Sequence, residues 1–297
     1  MSENKDCEYC ESSENCNGDC ENCQSQDSGC DGNCEGCASK GNCGSAIEKA
    51  VPTGDTKIKK IIAVLSGKGG VGKSMVTSLL DVELARAGYK VGIMDSDITG
   101  PSIPKIFGIN DPLYGDEGGI IPNETSSGIK AVSINMMLGE EETPVLWRGP
   151  VLGGIVKQFY SEVHWGELDY LLIDMPPGTS DVAISIFQLI PVDQVVMVTT
   201  PSKLVSMVVA KAINMAMQVN VPVVGLVENM AYVKCGKCGN EIKIYNNDDT
   251  EDVARRYELE IAAKLPIDPE LANLADEGRI EEYNDTLLKD LVRRVSA

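Results

Sequence analysis

The sequence predicts an α/β domain, a mostly parallel sheet of about seven strands with helices on both faces, preceded by a cysteine-rich N-terminal segment. Three observations carry that expectation. Short apolar, β-branched runs recur from Lys60 onward with apolar residues at helical spacing between them, the alternation that parallel crossover units produce. The runs do not alternate apolar with polar residues, as half-exposed antiparallel strands do, so both of their faces are expected to be buried. A glycine-rich loop lies between the first run and the first helical stretch, where a phosphate-binding turn belongs.

Residues 1–45 carry nine of the eleven cysteines. They repeat as triplets, Cys7, Cys10 and Cys16, then Cys20, Cys23 and Cys30, then Cys34, Cys37 and Cys43, with a period of 13 and then 14 residues. Between the thiols lie Asp, Glu, Asn, Ser, Gly and Gln with a single aromatic, Tyr9. That composition buries too little apolar surface to offset chain entropy, so the segment is expected to order only when its sulfurs are tied together. Disulfides, zinc and an iron–sulfur cluster are the three ways to tie them. The N-terminus has acidic and cysteine-rich residues where a signal peptide has a basic and an apolar stretch, so the chain reads as cytoplasmic. Disulfides are scarce in that compartment, which leaves metal.

Residues 46–58 read as a linker and 59–297 as the main domain. Within it the expected strands are KIIAVLS (60–66), YKVGIMD (89–95), IKAVSI (129–134), DYLLID (169–174), DQVVMVTT (193–200) and VPVVGLVEN (221–229), with EIAAKLP (260–266) a weaker seventh. Helical spacing runs from Val76 to Ala87 and from Val205 to Val219, and residues 281–295 place Leu287, Leu288, Leu291 and Val295 on one face for packing against the core. With 45 acidic against 26 basic residues the formal charge is −19, which argues against nucleic acid or an anionic membrane as a partner. No apolar run approaches the roughly 20 residues of a membrane-spanning helix.

The loop GKGGVGKS, Gly67 to Ser74, has the spacing G-x-x-x-x-G-K-[ST]. Gly67, Gly69, Gly70 and Gly72, with Lys68 and Val71 between them, let backbone N–H groups turn inward around phosphates at a helix N-terminus. Lys73 is expected to reach the outer phosphate oxygens and the Ser74 hydroxyl to ligate Mg²⁺. Asp174 ends one strand, and Asp95 and Asp97 follow another, at the carboxyl edge where such sheets bind ligands. Cys235 and Cys238 form a C-x-x-C. Two thiolates cannot close a tetrahedral site and the single histidine, His164, is remote in sequence, so a two-fold dimer is expected to supply the other pair, for zinc or for a [4Fe–4S] cluster.

Lys68 gives the loop form GKGGVGK that resembles the deviant P-loop ATPases, among them MinD, ParA and the nitrogenase iron protein. DSDITGPSIPKIFG (95–108), VLWRGPVL (145–152), LLIDMPPGTSD (171–181), GLVENMAYVKCGKCG (225–239) and KLPIDPEL (264–271) together resemble the Mrp/ApbC family of iron–sulfur carrier ATPases, in the same order. The resemblance runs from about Lys59 to the C-terminus. It implies a MinD-like P-loop NTPase fold, ATP as the nucleotide, and a homodimer in which Lys68 reaches the partner's nucleotide. It also implies that Asp97 positions the attacking water, that Asp174 is the magnesium-associated aspartate, that PPGTSD is a nucleotide-sensing switch and that Asn229 reads the adenine. On the same basis Cys235 and Cys238 hold a labile [4Fe–4S] cluster across the dimer, and apo iron–sulfur proteins are the acceptors. Met75 and Thr99 are mild departures that leave the nucleotide motif intact.

The cytosolic scaffold branch of that family carries four cysteines separated by thirteen, two and five residues, and Cys20, Cys34, Cys37 and Cys43 match that spacing. Cys7, Cys20, Cys23 and Cys30 form a near match one repeat upstream, with twelve, two and six intervening residues. The expected activity is ATP-dependent carriage of [4Fe–4S] clusters. A zinc-bridged regulatory ATPase of the MinD/ParA class is the alternative.

Overall fold

Seven parallel strands form the middle of one sheet, and they coincide with the seven apolar runs. The computed structural model describes residues 49–97, 100, 102–116, 118–138, 149–245 and 249–297; the nine N-terminal cysteines, among them Cys20, Cys34, Cys37 and Cys43, and Trp147 and Arg148 lie outside the described residues. In chain order the first half contains β1 (Lys57–Ser66), α1 (Lys73–Arg86), β2 (Val91–Asp95), α2 (Ile103–Phe107), β3 (Tyr114–Asp116), β4 (Gly119–Ile121), β5 (Asn123–Glu124), β6 (Lys130–Ser133), α3 (Asn135–Leu138) and α4 (Gly149–Ser161). The second contains β7 (Glu167–Asp174), α5 (Asp181–Leu189), β8 (Gln194–Thr199), α6 (Lys203–Gln218), β9 (Val223–Lys234), β10 (Glu241–Lys243), α7 (Asp249–Arg256), β11 (Ile261–Pro266), α8 (Pro269–Asp276) and α9 (Lys289–Val295).

The sheet has nine strands in the order β10-β9-β8-β1-β7-β2-β6-β5, with β11 also paired to β9. Strands β1, β2, β6, β7, β8, β9 and β11 are parallel to one another. The two additions to the expected seven are β5 and β10, which pair antiparallel at the ends of that order. They are two and three residues long and solvent-facing, so no apolar run announces them. The hairpin β3–β4 forms a separate two-stranded sheet.

Two strands are longer than their apolar runs. β1 starts at Lys57 because Lys57 and Ile58 already pair with Glu167 and Leu168 of β7, although this part is only half-buried. β9 continues past Asn229 to Lys234, where it turns back as β10. Upstream, Ala50 N donates to Leu189 O at 2.7 Å and Thr53 N to Ser161 O at 2.7 Å, so residues read by composition as linker already run against α4 and α5.

Helix α1 is buried on almost every side, from Val76 through Leu84, because it lies against β1, β2 and β7 and is covered by α2 and α9. Leu288, Leu291 and Val295 are fully buried, so the C-terminal helix packs into the core as its pattern suggests, but it is regular only from Lys289. A buried carboxylate anchors it: Glu83 Oε1 accepts from Leu288 N at 2.8 Å. Among the described residues no helix is long and apolar enough to cross a membrane.

Replacing Glu83 with Ala strands the Leu288 N–H in the core, which costs about 1–3 kcal/mol. Thermal unfolding of Glu83→Ala is expected to move down by about 2–4 °C for each of those kcal/mol, whereas Glu83→Gln, which keeps an acceptor, retains most of the stability.

Candidate nucleotide and thiol sites

The loop between β1 and α1 is shaped by its glycines for two different reasons. Gly70 and Gly72 both have φ near 80°, a left-handed conformation that side chains disfavour. Gly67 is required by packing instead: a Cβ there would lie 2.6 Å from Val209 N and 2.7 Å from Val208 C, in the backbone of α6. A Cβ on Gly72 would meet Asn229 Nδ2 at 2.2 Å. Lys68, Gly69 and Gly70 are exposed, while Val71 is buried under the loop.

Asn229 explains that contact. Its Nδ2 donates to Val71 O at 2.9 Å and its Oδ1 accepts from Met230 N at 2.9 Å. Met230 itself has φ 56°, a strained value for a methionine that the Asn229 bond helps to hold. In this structure Asn229 therefore braces the phosphate loop from the β9 side, with one amide hydrogen and one lone pair left for a ligand.

At the start of α1 the side chains converge on Asp174, the last residue of β7, which is fully buried. Ser74 Oγ donates to Asp174 Oδ2 at 2.6 Å, and Thr77 Oγ1 lies 2.9 Å from Oδ1. Lys73 is only 6% exposed, with Nζ 2.8 Å from Asp174 Oδ1 and 3.6 Å from Asp97 Oδ2. The ammonium has charge partners but no well-directed hydrogen-bond acceptor among the described residues. A buried ammonium with unused hydrogens at the mouth of a glycine cradle fits a phosphate ligand, and the Ser74, Thr77 and Asp174 oxygens beside it fit a hard cation.

The two aspartates after β2 separate into different tasks. Asp95 is buried and accepts from Asp97 N at 3.1 Å, Ile103 N at 3.3 Å and Ser133 Oγ at 3.2 Å, so it ties the loop to the sheet. Asp97 faces Lys73. Burial, reinforced by the nearby charge of Asp174 and opposed by Lys73, pushes the Asp95 carboxyl up to about 7. Asp81, two turns along α1 from Lys73, is fully buried with neither carboxyl oxygen hydrogen-bonded, and burial and then Asp174 hold its pKa well above the usual carboxylate range. Thr77 and Asp81 were not singled out in the sequence; their spacing of four and eight residues from Lys73 is the signal that places them on its face of the helix.

The PPGTSD segment follows Asp174. Met175 N donates to Val64 O at 3.2 Å and Gly178 N to Ser66 O at 2.8 Å, so the segment is held by the strand that leads into the phosphate loop. Ser180 caps α5 by accepting from Ala183 N at 3.3 Å.

Cys235 and Cys238 sit in the turn of the β9–β10 hairpin. Cys235 N donates to Asn240 O and Gly239 N to Cys235 O, both at 2.9 Å. Cys235 is partly buried and Cys238 exposed, and both are free thiols. The backbone N–H groups of Lys237 and Cys238, and then the Cys238 thiol, draw the Cys235 thiol below its ordinary pKa. That is the environment of a thiolate ligand. Among the described residues no cluster of three or more His, Cys, Asp or Glu could close a metal site. His164 is elsewhere, 3.3 Å from Asp116 of β3. Two thiols alone fall short of the four ligands that a tetrahedral metal site takes.

The family described as ParA, NUBPL iron-transfer P-loop NTPase, matches residues 57–296. An iron-sulfur cluster carrier protein of Clostridium perfringens (strain 13 / Type A) is 42% identical over 274 residues, 90% of this chain and 94% of the relative. An iron-sulfur cluster carrier protein of Methanocaldococcus jannaschii is 44% identical over 226 residues, covering 75% of this chain and 78% of that protein. Among solved structures, the nucleotide-binding protein of Archaeoglobus fulgidus in complex with ADP has a TM-score of 0.70 at 43% identity, over 77% of this chain and 90% of that chain. The MinD cell division protein of Aquifex aeolicus, with a TM-score of 0.56 at 21% identity over 80% of this chain and 97% of that chain, shares the fold.

The raised carboxyls of Asp81 and Asp95 make a pH prediction. The folded chain keeps protons that the unfolded chain releases near pH 4, so the stability they contribute is complete at low pH and is lost as pH rises toward about 7 for Asp95. In urea unfolding of ligand-free protein between pH 5 and 8, Asp81→Asn and Asp95→Asn are each expected to gain on the parent by at most about 1.4 kcal/mol per pH unit, with Asp81→Asn the more stable protein at the alkaline end.

Proposed function

This chain belongs to the family of NUBPL iron-transfer P-loop NTPases, and from that premise we propose that it is an ATP-dependent carrier that holds [4Fe–4S] clusters as cargo and delivers them to apo-proteins in the cytoplasm. The observation that carries the reading is the pairing of two incomplete sites on one sheet: a buried lysine awaiting an anion, and a two-thiol hairpin awaiting a second pair. The ADP complex of the Archaeoglobus fulgidus relative supports the nucleotide half.

In the nucleotide site, the loop from Gly67 to Gly72 turns its backbone N–H groups toward the phosphates, and Lys73 exchanges its carboxylate partners for phosphate oxygens. Ser74, assisted by Asp174, would hold Mg²⁺. Bound Mg²⁺–ATP supplies the γ-phosphoryl group and the charge that must be neutralised for its hydrolysis. Asp97 orients the attacking water. Exposed Lys68 extends from the loop toward the nucleotide of a second subunit, and Asn229 keeps the loop in register while its free amide hydrogen contacts the adenine. Loss of the γ-phosphate is sensed by the PPGTSD segment through the Gly178 bond to Ser66.

In the thiol site, Cys235 and Cys238 hold the cargo together with the same pair of a two-fold related subunit. Strand β9 links the two sites, because Asn229, which braces the phosphate loop, and Cys235, just past the strand's end at Lys234, are six residues apart, with the left-handed Met230 between them. In this reading a change in the loop reaches the thiols along the same strand, through the strained Met230. Cys20, Cys34, Cys37 and Cys43 hold a second, more tightly bound [4Fe–4S] cluster. The second reading is a zinc-bridged regulatory ATPase, favoured by the hairpin of backbone N–H groups around Cys235, which suits zinc equally well.

Lys73→Ala is expected to lower ATP hydrolysis by about 10²–10³-fold and to abolish cluster delivery to an apo-protein, while anaerobic reconstitution stays intact. Delivery at the parental rate would refute the coupling. Iron and sulfide analysis of Cys235→Ser is expected to show loss of the bridging cluster alone; stoichiometric zinc in the parent, without visible absorption after reconstitution, would establish the zinc reading instead. Replacing Cys37 is expected to remove the N-terminal cluster, as followed by electron paramagnetic resonance, and replacing Cys10 to leave it.

A further inference from the structure

Asp174 is held by three side chains from the first two turns of α1, and they stand at different depths. Ser74, partly exposed at the mouth of the loop, donates to Oδ2 at 2.6 Å. Lys73, nearly buried, brings its ammonium to 2.8 Å from Oδ1, where it makes an ion pair without a well-directed hydrogen bond. Thr77, one turn further along α1 and with no exposed surface, places its hydroxyl 2.9 Å from the same Oδ1. Among the described residues, the directed hydrogen bond that Oδ1 accepts from a side chain is therefore the one from Thr77.

That hydroxyl has one hydrogen and two acceptors in reach, since Lys73 O lies 3.0 Å away. Threonines inside helices often bond the carbonyl four residues back. Here the carboxylate has the stronger claim. A carbonyl in the first turn of a helix already accepts from the backbone N–H four residues on, whereas a buried ionised oxygen left without a donor is costly. The demand grows when an anion enters the glycine cradle. In the empty site Oδ1 has both the ammonium and the hydroxyl beside it. An ammonium that turns to phosphate oxygens leaves the hydroxyl as the partner that stays, because Thr77 is closed off from the loop and cannot follow.

We infer that Thr77 is a positioning residue of the nucleotide site, whose hydroxyl holds the Asp174 carboxylate in place when Lys73 leaves it for the phosphates. Of the oxygens beside the ammonium, those of Ser74 and Asp174 then face a cation, and that of Thr77 stands behind them. Thr77 acts through Asp174 and touches neither phosphate nor metal. The inference rests on the nucleotide half of the proposed function and is independent of what the cysteines carry.

The test uses the full chain and fluorescent N-methylanthraniloyl-ADP, titrated with Mg²⁺ present and with Mg²⁺ removed by EDTA. Thr77→Val, which keeps the branched shape and removes the hydroxyl, is expected to weaken binding by about tenfold or more in both conditions, because the departure of Lys73 rather than the arrival of the cation uncovers the loss. Thr77→Ser, which restores the hydroxyl, is expected to bind nearly as the parent does. A loss seen only with Mg²⁺ would make Thr77 a direct cation ligand and overturn the inference, and so would parental binding by Thr77→Val. Thermal unfolding of the ligand-free chain is the second readout. With Lys73 in place, Thr77→Val is expected to shift the midpoint by no more than about 2–4 °C. In Lys73→Ala, where Thr77 already holds Oδ1 by itself, the same change is expected to cost clearly more. Equal shifts in the two backgrounds, or a Thr77→Val chain that does not fold, would mark a merely structural hydroxyl and overturn the inference. A parent chain that binds no ADP would instead refute the nucleotide reading, and this inference with it.

Discussion

The structure depends on one buried carboxylate. Asp174 ends the central strand β7, in register with Val64 of β1 and Asp95 of β2, and it gathers Lys73, Ser74 and Thr77 from the first turns of α1. It fixes the helix to the sheet and places the lysine and the hydroxyl at one point. Its burial has a cost that spreads outward. Asp81 and Asp95 lie within its field and are themselves buried, with Lys73 the one buried ammonium in the group, so the ligand-free chain holds protons there that carboxylates in water give up. The Asp81 oxygens, without a hydrogen-bond partner among the described residues, and Lys73 Nζ, with charge partners but no well-directed acceptor, are the kind of local cost that folded proteins keep at functional sites. A multivalent ligand that brings both phosphate and a divalent cation supplies charge of both signs to such a site.

The second constraint is the length of β9. A strand that stopped at Asn229, where its apolar run stops, would complete the sheet and brace the phosphate loop and do nothing more. Its continuation to Lys234 carries the chain out of the core as a hairpin and puts the cysteines on its tip. The left-handed Met230 lies at the changeover, just after the residue bonded to Val71. Along one strand, therefore, the backbone passes from the loop brace through a strained residue to the thiols. A carrier whose nucleotide governs its cargo needs a physical connection of that kind, because a ligand shifts only an equilibrium in which the two states differ at its own contacts.

What was legible in the sequence follows from burial. Six of the parallel strands have cores buried on both faces and so read as continuous apolar runs, the partly exposed β11 reads more weakly, and the loop from Gly67 to Ser74 is legible because backbone approach admits few residue types. β5 and β10 were not legible, since two or three exposed residues carry no periodicity. The need for Gly67 arises from the α6 backbone pressing on it, a contact across more than a hundred residues that no local pattern records. Asn229 was read by resemblance as an adenine contact, while its bond to Val71 belongs to tertiary structure alone. Thr77 and Asp81 follow from helical spacing once Asp174 is known to face that side of α1.

The half-site at the hairpin tip suits the proposed carrier role for a reason of chemistry. Four thiolates from one chain close around a metal and hold it as structural zinc is held, with release coupled to unfolding. Two thiolates from each of two subunits make release depend on the interface instead, which changes without unfolding either chain. The two thiols of each pair also differ. Cys235 is partly buried and accepts from backbone N–H groups that stabilise its thiolate, whereas Cys238 stands exposed at the end of the turn. In the proposed carrier role, an exchange that began at the exposed sulfur would leave the cargo held by the stabilised one, so an incoming thiol would replace one bond at a time.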